Sequence, residues 1–181
     1  MFNSFVILIL FVLSSQVFPV ALGIDSGKNI GKAIWFGLIL VLGQFLFLMF
    51  GLFLGDRFMH LVEEFKGTVV FIGFFLIGVR LLMDTFKVRK GERTFSIESS
   101  LQVALASSAQ GINTFLAGLL FTSLALDVQW LSLVLFVLTV VVTGVGLLLK
   151  PSKQSLALSS LFFVIGGLVM IASSIYFGFI I

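Results

Sequence analysis

Six long stretches of apolar residues, separated by short polar segments, dominate the chain. They cover residues 5–23, 33–54, 67–86, 101–126, 130–149 and 156–179. About 20 apolar residues suffice for a helix to cross the hydrocarbon core of a bilayer. Lipid leaves a spanning backbone only two ways to satisfy its hydrogen bonds, the helix and the closed barrel, and the alternating pattern of barrel strands is absent. The pattern therefore predicts an all-α, polytopic membrane protein with six transmembrane helices.

The composition of the chain excludes a soluble globular domain. Of 181 residues, 60% are hydrophobic and 10% are charged, whereas a soluble domain carries about 25% charged residues. The net charge of +3 comes from basic residues in the loops, so we expect the lipid bilayer and a small solute or metal ion as partners and no nucleic acid. Cysteine is absent, which excludes disulfides, thiolate ligands and a cysteine nucleophile.

The loops predict the orientation of the chain, because cytoplasmic loops carry the positive excess. Alternate loops hold most of the basic residues, which are Lys28, Lys32, Lys87, Arg89, Lys90, Arg93, Lys150 and Lys153. The intervening loops hold Arg57 and Lys66. We therefore expect a plasma (inner) membrane protein with both termini outside the cytoplasm. No Lys or Arg precedes the first stretch, which favours a retained span over a cleaved signal peptide, and a mature N-terminus at Met1 would verify this.

The chain divides into two halves of opposite predicted topology. Residues 1–86 hold three spans, residues 87–100 form a basic cytoplasmic linker, and residues 101–181 hold three more. Gln16-Val17-Phe18 in the first span matches Asn113-Thr114-Phe115 in the fourth as an amide, one residue, then Phe. Such inverted three-helix repeats occur in transporters, whose substrate sites lie near the membrane midplane.

The amide side chains of Gln16 and Asn113 are the leading candidates for a binding site. Polar groups in hydrocarbon usually face the bundle interior or a water-filled path, and amide oxygens can bind a hard cation. Ser15, Gln110 and Thr114 could add oxygen ligands. The alternative is an interhelical hydrogen bond worth about 1 kcal/mol that only holds helices together.

Two further pairs of residues draw attention within the predicted spans. Pro19 removes a backbone donor three residues after Gln16, and Gly111 loosens the fourth span at a corresponding place. Arg80 and Asp84 share a helix face at four-residue spacing and could form an ion pair or a gate. Their position toward the cytoplasmic end of the span is equally compatible with side chains that reach the headgroups.

The sequence contains no enzyme signature and no cofactor motif. His60 is the only histidine, and it lies beside Glu63 and Glu64 in a predicted loop. A solvated loop is a simpler interpretation of these three residues than a weak metal site. No base lies inside the spans to activate a nucleophile. We therefore expect a protein that is not an enzyme and that needs no cofactor.

The arrangement resembles the MntP-type manganese efflux family, a branch of the LysE-like exporters. The first motif is Ser14-Ser15-Gln16-Val17-Phe18 with Gly23 after it, and the second is Gly111-Ile112-Asn113-Thr114 with Gly118 after it. The run from Gly78 through Arg80 to Asp84 resembles that family's Gly-x-Arg followed by an acidic residue. The resemblance implies six spans in two inverted repeats and efflux of a divalent cation by alternating access.

The chain departs from the family at the two motif positions where the family carries aspartates. Gln16 and Asn113 stand there instead, and neutral amides compensate less of a divalent cation's hydration than carboxylates do. The residues leave several functions open: weaker cation binding by neutral oxygens, export of an amino acid or another uncharged or zwitterionic solute, or a membrane protein that binds a partner without transport. Oligomeric state stays open as well.

Overall fold

The computed structural model describes residues 2–25, 29–90, 97, 99–124, 126–149 and 151–180. Within these ranges all regular secondary structure is helical, which confirms the all-α prediction. The α-helices are α1 (Phe2–Ser15), α2 (Phe18–Leu22), α3 (Ile30–Phe58), α4 (Lys66–Arg89), α5 (Ser100–Phe121), α6 (Val128–Leu148) and α7 (Lys153–Ile180). Short 3₁₀ segments cover Met59–Phe65 and Thr122–Leu124. The basic residues Lys28, Arg93 and Lys150 lie outside the described ranges.

Among the described residues, five helical stretches are long and apolar enough to cross a membrane. They are Ser4–Leu22, Ile30–Arg89, Ser100–Leu124, Val128–Leu148 and Lys153–Phe179. The second stretch has 60 residues and contains both the second and the third predicted spans. Its 3₁₀ segment includes Val62 at φ −117° and ψ 21°, which is not helical. These stretches make the chain an integral membrane protein.

The first predicted span breaks in its middle, between α1 and α2. Gln16 and Val17 form a turn there, and their amides reach back to the carbonyls of Leu13 and Ser14 at 3.4 Å. Pro19 lies in the first turn of α2, where a missing N–H is tolerated. Because proline has no N–H, it cannot donate to the carbonyl four residues earlier, so the α1 hydrogen-bond ladder does not continue. By contrast, Gly111 lies inside the uninterrupted α5.

Local side-chain caps fix where three of the long helices begin. The Asn29 side chain accepts a hydrogen bond from the Lys32 amide at 2.9 Å at the start of α3. Ser99 and Gln102 form a reciprocal capping box at the start of α5. Asp127 accepts from the Gln129 amide at 2.8 Å at the start of α6. Each cap satisfies amides that a helix N-terminus leaves without intrahelical partners.

The most extensive helix packing is that of α3 against α5 and of α4 against α7. Glycines allow both pairs of backbones to approach. A Cβ on Gly118 of α5 would lie 2.7 Å from the Leu48 carbonyl oxygen of α3, and a Cβ on Gly78 of α4 would lie 2.8 Å from the Gly167 carbonyl oxygen of α7. Small residues at such contacts are typical of membrane helices, because lipid provides no hydrophobic drive for association.

Large apolar side chains cover the outside of the bundle. Trp35, Leu46, Phe50 and Leu76 all have more than half of their surface exposed, as expected where lipid is the solvent. The interior contains a large apolar cluster, which includes Leu10, Leu13, Leu48, Leu52, Ala117, Leu120, Leu131 and Leu135. A smaller apolar cluster consists of Val20, Ala21, Ile24, Ala33, Phe36, Leu40, Ile97 and Val103.

We predict that Gly118→Ala destabilises the protein and that Gly144→Ala does not. The added methyl group at Gly118 meets only backbone atoms of α3, which cannot move aside cheaply, so we expect a loss of about 1–3 kcal/mol. A Cβ on Gly144 meets nothing within 4 Å, and alanine gains about 1 kcal/mol of helix propensity. Thermal unfolding midpoints in detergent provide the measurement. Equal midpoints for both variants would contradict the close α3–α5 packing.

Candidate functional site

The side chains of Gln16 and Asn113 meet in the interior of the bundle. The Asn113 Nδ2 donates to the Gln16 Oε1 at 2.6 Å, across 97 positions of sequence. Both side chains are 1% exposed. Gln16 reaches this position from the turn between α1 and α2, and Asn113 reaches it from the middle of α5.

Two further polar contacts join helices beside this pair. The Thr114 hydroxyl of α5 donates to the Gln44 Oε1 of α3 at 2.5 Å. The hydroxyls of Ser14 in α1 and Thr139 in α6 lie 3.1 Å apart, and Thr139 also donates to the Leu135 carbonyl of its own helix. We refer to these six side chains as the polar layer: Ser14, Gln16, Gln44, Asn113, Thr114 and Thr139.

Several amide atoms of the polar layer are buried without a hydrogen-bond partner. They include the Nε2 of Gln16, the Nε2 of Gln44 and the Oδ1 of Asn113. Leaving such a group unsatisfied costs about 1–3 kcal/mol. The orientation of each amide is assigned from its contacts, but turning both Gln16 and Asn113 around again leaves one donor and one acceptor unused. The pair can therefore bind a ligand that accepts and donates hydrogen bonds, or one that needs oxygen ligands.

The other predicted ligands are also buried, with different contacts. Ser15 donates to the Val12 carbonyl of its own helix at 2.8 Å. Gln110 is 2% exposed and lies one turn before Thr114 in α5. A Cβ on Gly111 would clash with the Phe47 ring of α3, so this glycine serves the packing of α3 against α5.

Ser14 was a candidate oxygen ligand from the sequence, whereas sequence reasoning gave Gln44 no partner and missed Thr139. Gln44 is the lone polar side chain in the middle of α3, and that isolation was the available signal. Because a buried amide in hydrocarbon needs a partner, a contact of Gln44 with a polar side chain of another helix could have been anticipated, although the choice of Thr114 could not. A threonine in a membrane helix commonly bonds its own backbone, so Thr139 carries no such signal.

Arg80 and Asp84 lie on α4, outside the polar layer. The Arg80 Nη2 donates to the Ala109 carbonyl of α5 at 3.3 Å. The carboxylate of Asp84 is 3.6 Å from the Lys87 ammonium. A groove of about 400 Å³ runs beside these charges and is lined by Leu76, Val79, Arg80, Met83, Asp84 and Lys87. The structure thus links Arg80 to a neighbouring helix, and whether it gates anything stays a prediction.

The polar layer carries no formal charge. Its members are amides and hydroxyls, and in the part of the chain that the structure describes no three acidic, histidine or cysteine side chains come together to hold a metal ion. A cation at this layer would be bound by neutral oxygens alone, and a neutral solute would meet both donors and acceptors.

A bundle of apolar helices around a buried polar layer defines an α-helical integral membrane protein with an enclosed polar site. Residues 27–177 match the family model Mntp, described as "Putative manganese efflux pump". This match covers more than half of the chain, so the chain belongs to the MntP family. No curated protein and no solved structure matches the chain significantly.

A double-mutant cycle tests the hydrogen bond between Gln16 and Asn113. Asn113→Leu removes the hydrogen-bond partner of the buried Gln16 side chain, so we expect a loss of about 1–3 kcal/mol in unfolding free energy. We expect a similar loss for Gln16→Leu, which removes the partner of Asn113. The double variant removes both polar groups and should lose less than the sum of the two. The measurement is the unfolding free energy in detergent. Strictly additive losses would mean that the two amides do not contact each other.

Proposed function

We propose that the protein is a transporter that exports a small solute through the polar layer, with a divalent cation such as manganese as the first candidate. The contact between Gln16 and Asn113 carries this proposal. It joins the break after α1 to the middle of α5, far apart in sequence, and it leaves polar side-chain atoms without partners in the interior of the bundle. Polar groups at such depth mark substrate or ion pathways. Membership of a manganese efflux family agrees with export of a cation.

We further propose six spans in two inverted halves, divided as residues 1–86, 87–100 and 101–181. The 3₁₀ segment Met59–Phe65 would connect the second and third spans, because one helix of 60 residues would be about 90 Å long and exceed the bilayer thickness threefold. In the proposed repeat, α1, α3 and α4 correspond to α5, α6 and α7. Helix packing supports this correspondence, because the α1–α6 contact has its counterpart in the α5–α3 contact, and the α1–α7 contact in the α5–α4 contact. Gln16 and Asn113 occupy equivalent positions in the two halves.

Alternating access would open one side of the polar layer at a time. The small apolar cluster approaches the layer from one end, since Leu40 precedes Gln44 by one turn and Val20 follows Gln16 by one turn. Leu48 and Leu13, in the large cluster, lie on the opposite side. Each cluster would act as a gate that excludes water. The amide of Ile97 donates to the Gly23 carbonyl at 3.1 Å beside the small cluster, so opening there would break this contact.

A neutral or zwitterionic solute is the second candidate substrate. The absence of formal charge from the polar layer favours it, because dehydrating a divalent cation without carboxylate ligands is costly. An amino acid or a similar dipolar molecule would match a site that offers one free donor and one free acceptor at the amide pair.

We predict that Gln16→Ala and Asn113→Ala abolish the protection against manganese that the parent protein gives to cells. Each change removes an oxygen ligand and leaves the partner amide unpaired. The measurement is growth in manganese together with the cellular manganese content. Gln129→Ala, an exposed amide at the start of α6, is the matched control and should protect like the parent. Protection that survives both interior changes at normal expression would remove this site assignment.

The proposed orientation can be tested with single cysteines, because the natural chain has none. In right-side-out spheroplasts, Glu64→Cys should react with a membrane-impermeant maleimide. Lys90→Cys should react only after lysis. Both positions are exposed, so reactivity reports the side of the membrane. The reverse pattern would contradict the proposed orientation.

A further inference from the structure

We propose that Arg80 lowers the affinity of the polar layer for cations and thereby favours solutes without net positive charge. The inference rests on the proposed function, since it concerns the same site. It assigns a specificity-determining role to a residue on α4, a helix that contributes no side chain to the polar layer as defined above.

The first observation is how near the Arg80 charge lies to the amide pair. Its guanidinium is bonded to the Ala109 carbonyl at 3.3 Å. Ala109 precedes Asn113 by four residues in the continuous α5, so this carbonyl also accepts the helical hydrogen bond from the backbone N–H of Asn113. Adding these hydrogen bonds and the length of the asparagine side chain places the guanidinium within about 10 Å of the Asn113 amide group.

The second observation is that Asn113 lies on the face of α5 that meets α4. A Cβ on Gly73 of α4 would lie 2.6 Å from the Leu120 side chain of α5. Ala109, Asn113 and Leu120 are spaced by four and seven residues and so share one helix face. Asn113 therefore lies in α5 between Ala109, which Arg80 contacts, and Leu120, which packs against Gly73.

The third observation is the position of the charge along its helix. Arg80 lies nine residues before the end of α4 at Arg89, and Ala109 lies nine residues after the start of α5 at Ser100. At 1.5 Å per residue both are about 14 Å from their helix ends. Arg80 is partly buried there, and salt screens a partly buried charge less than an exposed one.

The neighbouring carboxylate compensates this charge only in part. Asp84 lies one turn beyond Arg80 toward the end of α4, so it is farther from Asn113 than Arg80 is. Its ion pair with Lys87 at 3.6 Å draws it toward the positive charge at that end. The amides and hydroxyls of the polar layer add no negative charge. A cation at the amide pair therefore meets a nearer positive charge and a more distant negative one.

The expected size of the effect follows from Coulomb's law. A unit charge about 10 Å from a divalent ion, at an effective dielectric constant of about 20, changes a dissociation constant by up to a few hundred-fold. The opposing charge of Asp84 reduces this, and we expect that Arg80→Gln tightens Mn²⁺ binding roughly ten-fold.

The test measures Mn²⁺ dissociation constants of the purified full-length protein by titration calorimetry. The parent, Arg80→Gln and Arg80→Lys are compared, and the same changes are made in an Asn113→Asp background, which supplies a carboxylate ligand. Arg80→Gln should tighten binding in both backgrounds, whereas Arg80→Lys, which keeps the charge, should bind within about two-fold of its background. Arg57→Gln, which removes an exposed positive charge at the end of α3, is the matched control and should change little.

The outcomes separate this inference from the proposed function. Mn²⁺ binding that Arg80→Gln leaves unchanged or weakens, in a variant with the parent's unfolding midpoint, overturns the inference and leaves the transport proposal standing. Equal tightening by Arg57→Gln would show a general surface effect and overturn it as well. If no variant binds Mn²⁺, including Asn113→Asp, the polar layer is not a cation site, so the inference and the cation candidate both fail, and only the neutral or zwitterionic solute remains as a proposed substrate.

Discussion

The constraint on which the structure depends is that polar side chains inside a bilayer must find partners within the protein. Gln16, Gln44 and Asn113 are primary amides in a body whose solvent is lipid, and each would be costly if it faced that solvent. Their contacts bring α1, α3 and α5 together at one level. Apolar side chains then fill the space on either side of this level, so the polar layer is enclosed by the clusters that its own pairing organises.

Backbone features make that pairing possible. Pro19 cannot continue the hydrogen-bond ladder of α1, and Gln16 and Val17 form a turn there. The Gln16 side chain contacts Asn113 from this turn within the first span. Gly118 lets α5 approach α3 at backbone distance, and Gly111 accommodates the Phe47 ring one turn from Thr114. Helices that pack this closely gain dispersion contacts, which replace the hydrophobic drive that lipid does not provide.

The polar layer of this member of the MntP family consists of neutral amides and hydroxyls. A divalent cation could still bind there through amide, hydroxyl and backbone oxygens, with less electrostatic stabilisation than carboxylates give. Arg80, whose guanidinium is bonded to the Ala109 carbonyl of α5, is the charge that we propose disfavours cations at the amide pair. A dipolar solute without net charge would not meet this repulsion.

The sequence by itself determined that the chain is helical and embedded in lipid, because long apolar runs with so few charges permit no other backbone arrangement in a membrane. It also singled out Gln16 and Asn113, since isolated amides in such runs stand out from the apolar pattern. Tertiary structure alone decided that these two contact each other, that Thr114 pairs with Gln44, and that Arg80 reaches the Ala109 carbonyl of α5. Composition and spacing act along one chain segment, whereas these contacts depend on which helix faces become neighbours. That choice is made by glycine seams and side-chain packing between helices distant in sequence.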